Sequence, residues 1–228
     1  MNTPSGVAKR VRLGVVFDLD GTLIDSRLDI ASSANHALGA HGFATLSVAE
    51  ISRYVGDGAR WLLARAARLE PDAPALDALL ATFIAYYAEH PTAHTQLLPG
   101  ARETLAELGH FPLALCTNKP RSITDRVLEN LRLTGAFRVV IGGGDLPKNK
   151  PDPLPLLHIA ERLGLSASEL VMVGDGAQDI GCAKAAGAHA VGVDGGMQGR
   201  EPLLASGPDV LLNSLFELPA ALERWLSR

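Results

Sequence analysis

The sequence predicts an α/β protein with a doubly wound, Rossmann-like parallel sheet and a small helical domain inserted after its first strand. Three observations lead to this fold class. Short runs rich in Val, Leu and Ile recur along the 228 residues, and their continuous apolar character is typical of parallel strands covered on both faces. Amphipathic segments separate the runs. One interval between two runs is far longer than a strand–helix–strand crossover needs.

Six strands and several helices are predicted in order. The strands are expected at residues 13–17, 113–116, 139–141, 170–173, 190–193 and 210–212, with a C-terminal helix at 215–226. Pro99 and Gly109 bracket one helical segment, and Pro153 and Gly164 bracket another. Proline is favoured in the first turn of a helix and glycine just past its end. This alternation of strands and helices predicts right-handed crossovers.

The long interval covers about seventy residues, from 25 to 97, and its pattern is helical. Ser47, with Glu50 three residues later, forms a capping-box pattern at the start of one helix. Helices are expected at 26–42, 47–56, 59–69 and 75–90. We therefore expect residues 1–24 and 98–228 to form an α/β catalytic core. Residues 25–97 are expected to form a cap over the carboxyl edge of its sheet.

Composition favours a soluble cytoplasmic protein that acts on a small molecule. The formal charge of −4 and the pI near 6.0 give no general attraction to nucleic acid. The first apolar run is interrupted by Asp18 and is too short for a membrane span or a signal-peptide core. The two cysteines, Cys116 and Cys182, suggest reduced thiols. We expect a monomer or homodimer with no nucleic-acid or membrane partner.

Polar residues follow four of the predicted strands. Ligands of open parallel sheets bind outside the carboxyl ends of the strands, so these positions are the candidate site. The residues are Asp18, Asp20, Thr117, Asn118, Lys150, Asp175 and Asp179. Any one aspartate here could be a helix cap, but capping does not explain the lysine, threonine and second aspartate beside it.

Four carboxylates at one sheet edge would repel one another, so a cation is expected. The available ligands are hard oxygens, which select Mg²⁺, an ion that shares its shell with phosphate oxygens. Lys150, Thr117 and Asn118 complement a transferring phosphoryl group. One of Asp18 and Asp20 would attack phosphorus and the other would act as acid and then base. The residues alone do not decide which aspartate has which role.

The motifs resemble, in order, the four motifs of the haloacid dehalogenase superfamily of aspartate-nucleophile phosphatases. The matching segments are Asp18-Leu19-Asp20-Gly21-Thr22, Thr117-Asn118, Lys150-Pro151, and Gly174-Asp175 with Asp179. The helical insertion is similar to the cap that defines one subclass. Within the superfamily, residues 17–26, 55–60, 117–120, 143–147 and 150–153 are most similar to the phosphoglycolate phosphatase family.

The resemblance implies a role for each residue. Asp18 would be the nucleophile and Asp20 the general acid and base. Mg²⁺ would be held by the Asp18 carboxylate, the Asp20 backbone carbonyl and Asp175, with Asp179 in support. Thr117, Asn118 and Lys150 would hold the phosphoryl group of a small phosphorylated metabolite, with 2-phosphoglycolate favoured.

Substrate recognition is expected in the cap, where Gly58 precedes a predicted helix and Arg60 is the candidate for a substrate carboxylate. Gly176-Ala177-Gln178 departs from the serine and other polar residues usual in the fourth motif. Alternatives are a phosphatase of another phosphorylated sugar or sugar acid, a hexose phosphomutase, and a catalytically silent binding protein. A phosphonatase or a dehalogenase is a further alternative. The sequence discriminates against these in part, because dehalogenases need no metal and phosphonatases usually replace the second aspartate, whereas Asp20 is present.

Overall fold

The computed structural model describes residues 12–226; the ends of the predicted core, 1–11 and 227–228, lie outside the described residues. The strands are β1 (Gly14–Phe17), β2 (Ile24–Asp25), β3 (Gln96–Leu97), β4 (Leu113–Pro120), β5 (Val139–Gly143), β6 (Leu170–Gly174), β7 (His189–Val193) and β8 (Val210–Leu212). Six of them form one sheet in the order β5-β4-β1-β6-β7-β8, and every neighbouring pair is parallel. The predicted fold class is confirmed.

Helices cover both faces of this sheet. They are α1 (Arg27–Ala40), α2 (Val48–Ser52), α3 (Ala59–Ala67), α4 (Ala75–Glu89), α5 (Ala101–Glu107), α6 (Arg121–Asn130), α7 (Leu154–Leu163), α8 (Ala177–Ala186), α9 (Arg200–Ala205) and α10 (Leu218–Leu226). Val15 and Phe17 of β1 belong to the buried cluster that includes side chains of α5, α6 and α10. Val16, between them, belongs to the cluster of α7 and α8. Alternate residues of the central strand are thus buried on opposite faces.

Strand β4 extends beyond its predicted end at residue 116. It continues to Pro120, which pairs with Gly143 after a shift of register that follows Cys116. Thr117 and Asn118 therefore lie within the strand rather than after it. The apolar pattern ends at Cys116 because the last part of β4 lines a polar site and carries polar side chains.

The helical segment, residues 27–89 containing α1 to α4, is joined to the sheet region by two neighbouring strands. β2 pairs antiparallel with β3, so the chain leaves and returns at one place. The predicted capping box is confirmed: Glu50 N–H donates to Ser47 Oγ, and Ser47 N–H donates to Glu50 Oε2. Its helix, α2, ends at Ser52 and continues as turns.

Asp29 fixes the start of α1 to the returning strand. Its carboxylate is buried and accepts hydrogen bonds from the backbone N–H groups of His94 and Thr95 and from the Thr95 hydroxyl. Those bonds hold the pKa of Asp29 below its usual value, although burial alone would raise it. Both ends of the helical segment are thereby tied together.

Two further expectations concern the chain as a whole. Cys116 and Cys182 are buried free thiols, as expected. Within residues 12–226, none of the helices has both the length and the apolar character that crossing a bilayer requires.

Candidate active site

The first acidic motif turns sharply at the end of β1. Asp18 N–H donates to the Val173 carbonyl of the neighbouring strand β6 at 2.9 Å, which fixes the Asp18 backbone at the sheet edge. Gly21 then adopts φ of 91° and its N–H donates to the Ile24 carbonyl. A Cβ at Gly21 would lie 2.4 Å from a carboxylate oxygen of Asp175. Only glycine fits this turn, because it allows both the positive φ and the close approach.

Lys150 lies between two of the acidic side chains. Its Nζ donates to Asp18 Oδ1 at 2.7 Å and to Asp179 Oδ1 at 2.5 Å, and all three side chains are buried. Asn118 positions the lysine: its Oδ1 accepts from Lys150 N–H, and its Nδ2 donates to the Lys150 carbonyl and to the Gly56 carbonyl. Both N–H groups of that amide are used, so the Asn118 side chain holds loops together and has no donor left for a phosphate.

Within residues 12–226, the hydrogen-bond donors to the Asp175 carboxylate are neutral groups. The Thr22 hydroxyl donates to its Oδ1 at 3.0 Å, and Met197 N–H donates to its Oδ2 at 2.8 Å. Asp179 differs, because its Oδ2 accepts from Gly176 N–H at the start of α8 while its other oxygen meets Lys150. One ammonium group therefore serves two of these three carboxylates.

Burial strongly perturbs the acidic groups. It raises the pKa of Asp18 from 3.8 to about 7; Lys150 opposes this rise and the Asp179 carboxylate adds to it. Burial, with the Asp18 and Asp179 carboxylates, raises the pKa of Asp175 from 3.8 to about 8. Burial would lower the pKa of Lys150, but Asp179 and Asp18 hold it well above its usual value. The protein alone thus supplies too little positive charge for all three carboxylates to ionise near neutral pH.

A divalent cation fits this donor set. Asp18, Asp175 and Asp179 each offer a carboxylate oxygen, and these three oxygens lie within 4.8 Å of one another. All three are hard oxygen ligands, the type that Mg²⁺ and similar ions prefer. The Asp20 carboxylate is not in this group; it accepts from Ser26 Oγ and Lys119 Nζ instead.

A small cavity of about 60 Å³ lies between the sheet edge and the helical segment. The sheet side contributes all seven residues of the candidate site. The lining residues from the helical segment are Ile30, Val55, Gly56, Gly58, Ala59, Leu62, Phe83 and Tyr87. The two sides therefore differ in chemistry: one is charged, and the other is almost wholly apolar.

The two candidate recognition residues have different positions. Gly58 lines the cavity with φ of 92°, and a Cβ there would lie 3.3 Å from the Asn118 carbonyl oxygen. Arg60 is not among the lining residues. Its guanidinium donates to the Pro71 carbonyl and to Asp77, both at 2.7 Å. The expectation that Arg60 faces the substrate is not met in this arrangement, because two of its five N–H donors bind partners within the helical segment and the residue does not line the cavity.

Sequence reasoning assigned no role to Lys119 or to the hydroxyl of Tyr87. Lys119 Nζ donates to both Asp20 oxygens, at 2.9 and 3.2 Å, and to Tyr87 Oη at 2.5 Å. Burial alone would lower the pKa of Lys119, but Asp20 and Tyr87 hold it above its usual value. The sequence did offer one indication of a role for Lys119, because it directly follows Asn118 in the candidate site. A lysine buried at such a position is rarely found without a charged partner.

The unusual fourth-motif residue Gln178 contacts the helical segment. Its Nε2 donates to Asp57 Oδ1 at 2.8 Å, and its Oε1 accepts from Gln198 Nε2 at 3.0 Å. Gln198 also donates to the Val55 carbonyl at 2.8 Å. These bonds hold residues 55–57 against the acidic edge of the sheet, beside the bond from Asn118 to Gly56.

Comparisons with known proteins find similar sequences and a similar fold. The chain is 39% identical over 210 residues to the phosphoglycolate phosphatase of Chromobacterium violaceum, covering 90% of this chain and 93% of that protein. It is 38% identical to the phosphoglycolate phosphatase of Photobacterium profundum, with the same shares covered. The crystal structure of a predicted phosphoglycolate phosphatase from Haemophilus somnus superposes with a TM-score of 0.84 at 29% identity, covering 94% of this chain and 99% of the other.

A family model also matches most of the chain. The model for haloacid dehalogenase-like hydrolases matches residues 15–193, a span that includes all four motifs. The resemblance inferred from the motifs is thus confirmed by the match, the relatives and the fold together. The chain belongs to the haloacid dehalogenase-like hydrolases.

Proposed function

We propose that this hydrolase is a Mg²⁺-dependent phosphatase that converts 2-phosphoglycolate to glycolate and phosphate. The observation that carries the proposal is the position of Asp18. Its carboxylate is buried at the end of β1, is held at 2.7 Å by Lys150, and lies with Asp175 and Asp179 in a cluster whose oxygens are within 4.8 Å of one another, the spacing of a cation site. Relatives covering 90% of the chain are named for this activity.

The reaction proceeds in two displacements. An Asp18 oxygen attacks phosphorus, the phosphorus–ester oxygen bond breaks, and Asp20 donates a proton to the leaving oxygen. Water then attacks phosphorus, Asp20 takes its proton, and the bond to Asp18 breaks to release phosphate. Lys150 orients Asp18 and offsets charge on the transferring group, with Thr117 beside it.

Asp18, Asp175 and the Asp20 backbone carbonyl would hold Mg²⁺, with Asp179 in support. When bound, the ion neutralises charge on the carboxylates and on the phosphoryl oxygens. Residues 25–97 act as a cap on the core formed by 1–24 and 98–228. The paired strands β2 and β3, through which the chain leaves and returns, and the residues that line the cavity support this division.

The cavity favours a small acid over a sugar phosphate. The helical segment faces it with apolar side chains such as Ile30, Leu62 and Phe83. Sugar hydroxyls buried there would lose their hydrogen bonds to water without replacement, at a cost of about 1–3 kcal/mol each. The cavity is also small beside the roughly 300–1,000 Å³ of drug-sized ligand sites.

The decisive experiment combines a substrate panel with a trapped intermediate. Wild-type protein with Mg²⁺ should release phosphate from 2-phosphoglycolate with a higher kcat/KM than from hexose phosphates. Rapid acid quenching should yield a phosphoenzyme that hydroxylamine cleaves, as expected for an acyl phosphate. Asp18→Asn should lose at least about 10⁴-fold in kcat and form no phosphoenzyme.

A matched control and clear contrary results make the experiment decisive. Asp125→Asn, on the exposed face of α6, should behave as wild type. Turnover retained by Asp18→Asn would refute the mechanism. Isomerised sugar phosphate without net phosphate release would instead indicate a phosphomutase.

A further inference from the structure

Lys119 is a buried cation for which the proposed reaction has no use. Its side chain is only 2% exposed, and it lies at the end of β4 with its ammonium 4.4 Å from the centre of the Tyr87 ring. Its hydrogen-bond partners are Asp20 and the Tyr87 hydroxyl. Burying an ammonium group costs several kcal/mol unless partners repay it. Asp20 and Tyr87 offset this cost, so the ammonium is held beside the proposed acid and base at the edge of the cavity.

Charge in the cavity is unevenly distributed. Among the described residues that line it, the positively charged side chains are Lys119 and Lys150. Lys150 is committed to the reacting end, since its donors reach Asp18 and Asp179. Of these two cations, Lys119 is the one available to a second anionic group away from phosphorus.

We propose that Lys119 is the specificity-determining residue that binds a carboxylate of the substrate while Lys150 serves the phosphoryl end. This inference rests on the proposed phosphatase function and deepens it. An ammonium has three N–H donors, and all three acceptors near this one are its own neighbours, two Asp20 oxygens and the Tyr87 hydroxyl. An incoming carboxylate is a better acceptor than a neutral phenol, and it competes directly with Asp20.

The competition couples recognition to the chemistry. When the substrate carboxylate takes the ammonium, Asp20 loses its ion pair and keeps its hydrogen bond from Ser26 Oγ. The Asp20 side chain, no longer held by the ammonium, can then turn its other oxygen toward the ester oxygen while Ser26 holds the first. A substrate without the second anion leaves Asp20 paired with Lys119, so it is a poor substrate as well as a weak ligand.

The surroundings strengthen this discrimination. Ile30, Leu62 and Phe83 line the same cavity, and a charge–charge contact is stronger beside apolar side chains than in bulk water. The small volume limits the separation of the two anionic groups, so the substrate class is a phosphate ester of a short hydroxy acid.

The test measures a preference rather than a rate. We compare kcat/KM for 2-phosphoglycolate with kcat/KM for 2-hydroxyethyl phosphate, in which a neutral hydroxymethyl group replaces the carboxylate. Lys119→Met removes the charge at similar length. It should lower kcat/KM for the acid by about 100-fold, a typical loss for a truncated buried charge pair, and should lower the acid-to-neutral ratio by at least tenfold.

The controls separate specificity from structure. Lys148→Met, in an exposed loop, should retain the wild-type ratio. Lys119→Gln, which can still donate to Asp20, should also lose the preference, and it replaces the methionine variant if that variant does not fold. A ratio unchanged in the Lys119 variants, including an equal loss for both substrates, would overturn the role proposed for Lys119.

The same data keep the two proposals apart. If the wild-type enzyme prefers 2-phosphoglycolate and the Lys119 variants keep that preference, only the role of Lys119 is refuted. A wild-type enzyme with phosphatase activity but no preference for the acid refutes the proposed substrate and the carboxylate site together.

Discussion

Metal affinity should depend strongly on pH, because two of the carboxylates proposed to bind the ion, Asp18 and Asp175, have raised pKa values in its absence. The pKa values of Asp18 and Asp175 lie near 7 and 8 in the folded protein, against an ordinary value of 3.8. A dication binds the ionised forms and must displace these protons. The prediction is therefore tested by raising the pH from 6 to 7.5 and measuring the protein with and without Mg²⁺.

The sign of the effect on stability follows from the same values. The folded metal-free protein retains protons that the unfolded chain releases near pH 4. The stability contributed by this retention is complete below about pH 4 and is lost as the pH rises through 7 to 8. Metal-free protein should thus lose stability across this range, and the metal should restore it by replacing the protons.

The size of the pH effect on Mg²⁺ affinity is set by the number of protons that the ion displaces. One proton released per ion tightens Kd by about tenfold for each pH unit below the pKa. At a fixed metal concentration above Kd, a tenfold tighter Kd adds about 1.4 kcal/mol to the stability of the folded state. For a chain of this length, the Tm increase caused by the metal should grow by roughly 3–6 °C per pH unit.

Two measurements check this prediction. Calorimetric titration of Mg²⁺ in buffers of different ionisation enthalpy gives the protons released, and thermal unfolding with and without metal gives the Tm difference. Asp175→Asn should abolish the metal-induced shift, whereas Asp125→Asn should leave it unchanged. A Kd for Mg²⁺ that is the same at pH 6 and pH 7.5, with no proton release, would refute the reasoning.

Two further variants test contacts that hold the helical segment. Gln178→Ala removes a hydrogen bond to the Asp57 carboxylate, worth about 1.5–3 kcal/mol, so kcat/KM should fall by tenfold or more while Mg²⁺ affinity is unchanged; steady-state kinetics within twofold of wild type would contradict this. Asp29→Ala leaves the buried N–H and hydroxyl of Thr95 without acceptors and should cost about 3 kcal/mol, or roughly 6–12 °C in Tm. Thermal unfolding of Asp125→Ala is the control, and equal Tm values for the two variants would show that Asp29 contributes nothing special.

Much of the site was predictable because its signals are local. The apolar runs give the strands, and a parallel sheet brings the ends of its strands to one edge whatever the loops between them do. Asp18 and Lys150 are far apart in the sequence, yet their side chains meet at 2.7 Å for this reason. The capping box at Ser47 was likewise predictable, because it depends on two residues three positions apart.

Side-chain partners across the cavity were not predictable in the same way. Arg60 was expected to face the substrate, but its donors reach Pro71 and Asp77. In the sequence, Gln178 was recognised only as a departure from the fourth motif. Its hydrogen-bond partner Asp57, which lies in the helical segment, was not predicted. In both cases several acceptors compete, and the choice depends on how the segment rests on the sheet.

The sequence by itself determined the parallel sheet and the acidic edge, because these follow from residue periodicity and from strand ends that must converge. The family was indicated by a different signal, the resemblance of four short motifs. Only the tertiary structure decided which cation belongs to which carboxylate. Lys150 pairs with Asp18 and Asp179, and Lys119 pairs with Asp20 under the ring of Tyr87. Ion pairs act over a few ångströms, and those distances exist only after helix and sheet have packed together.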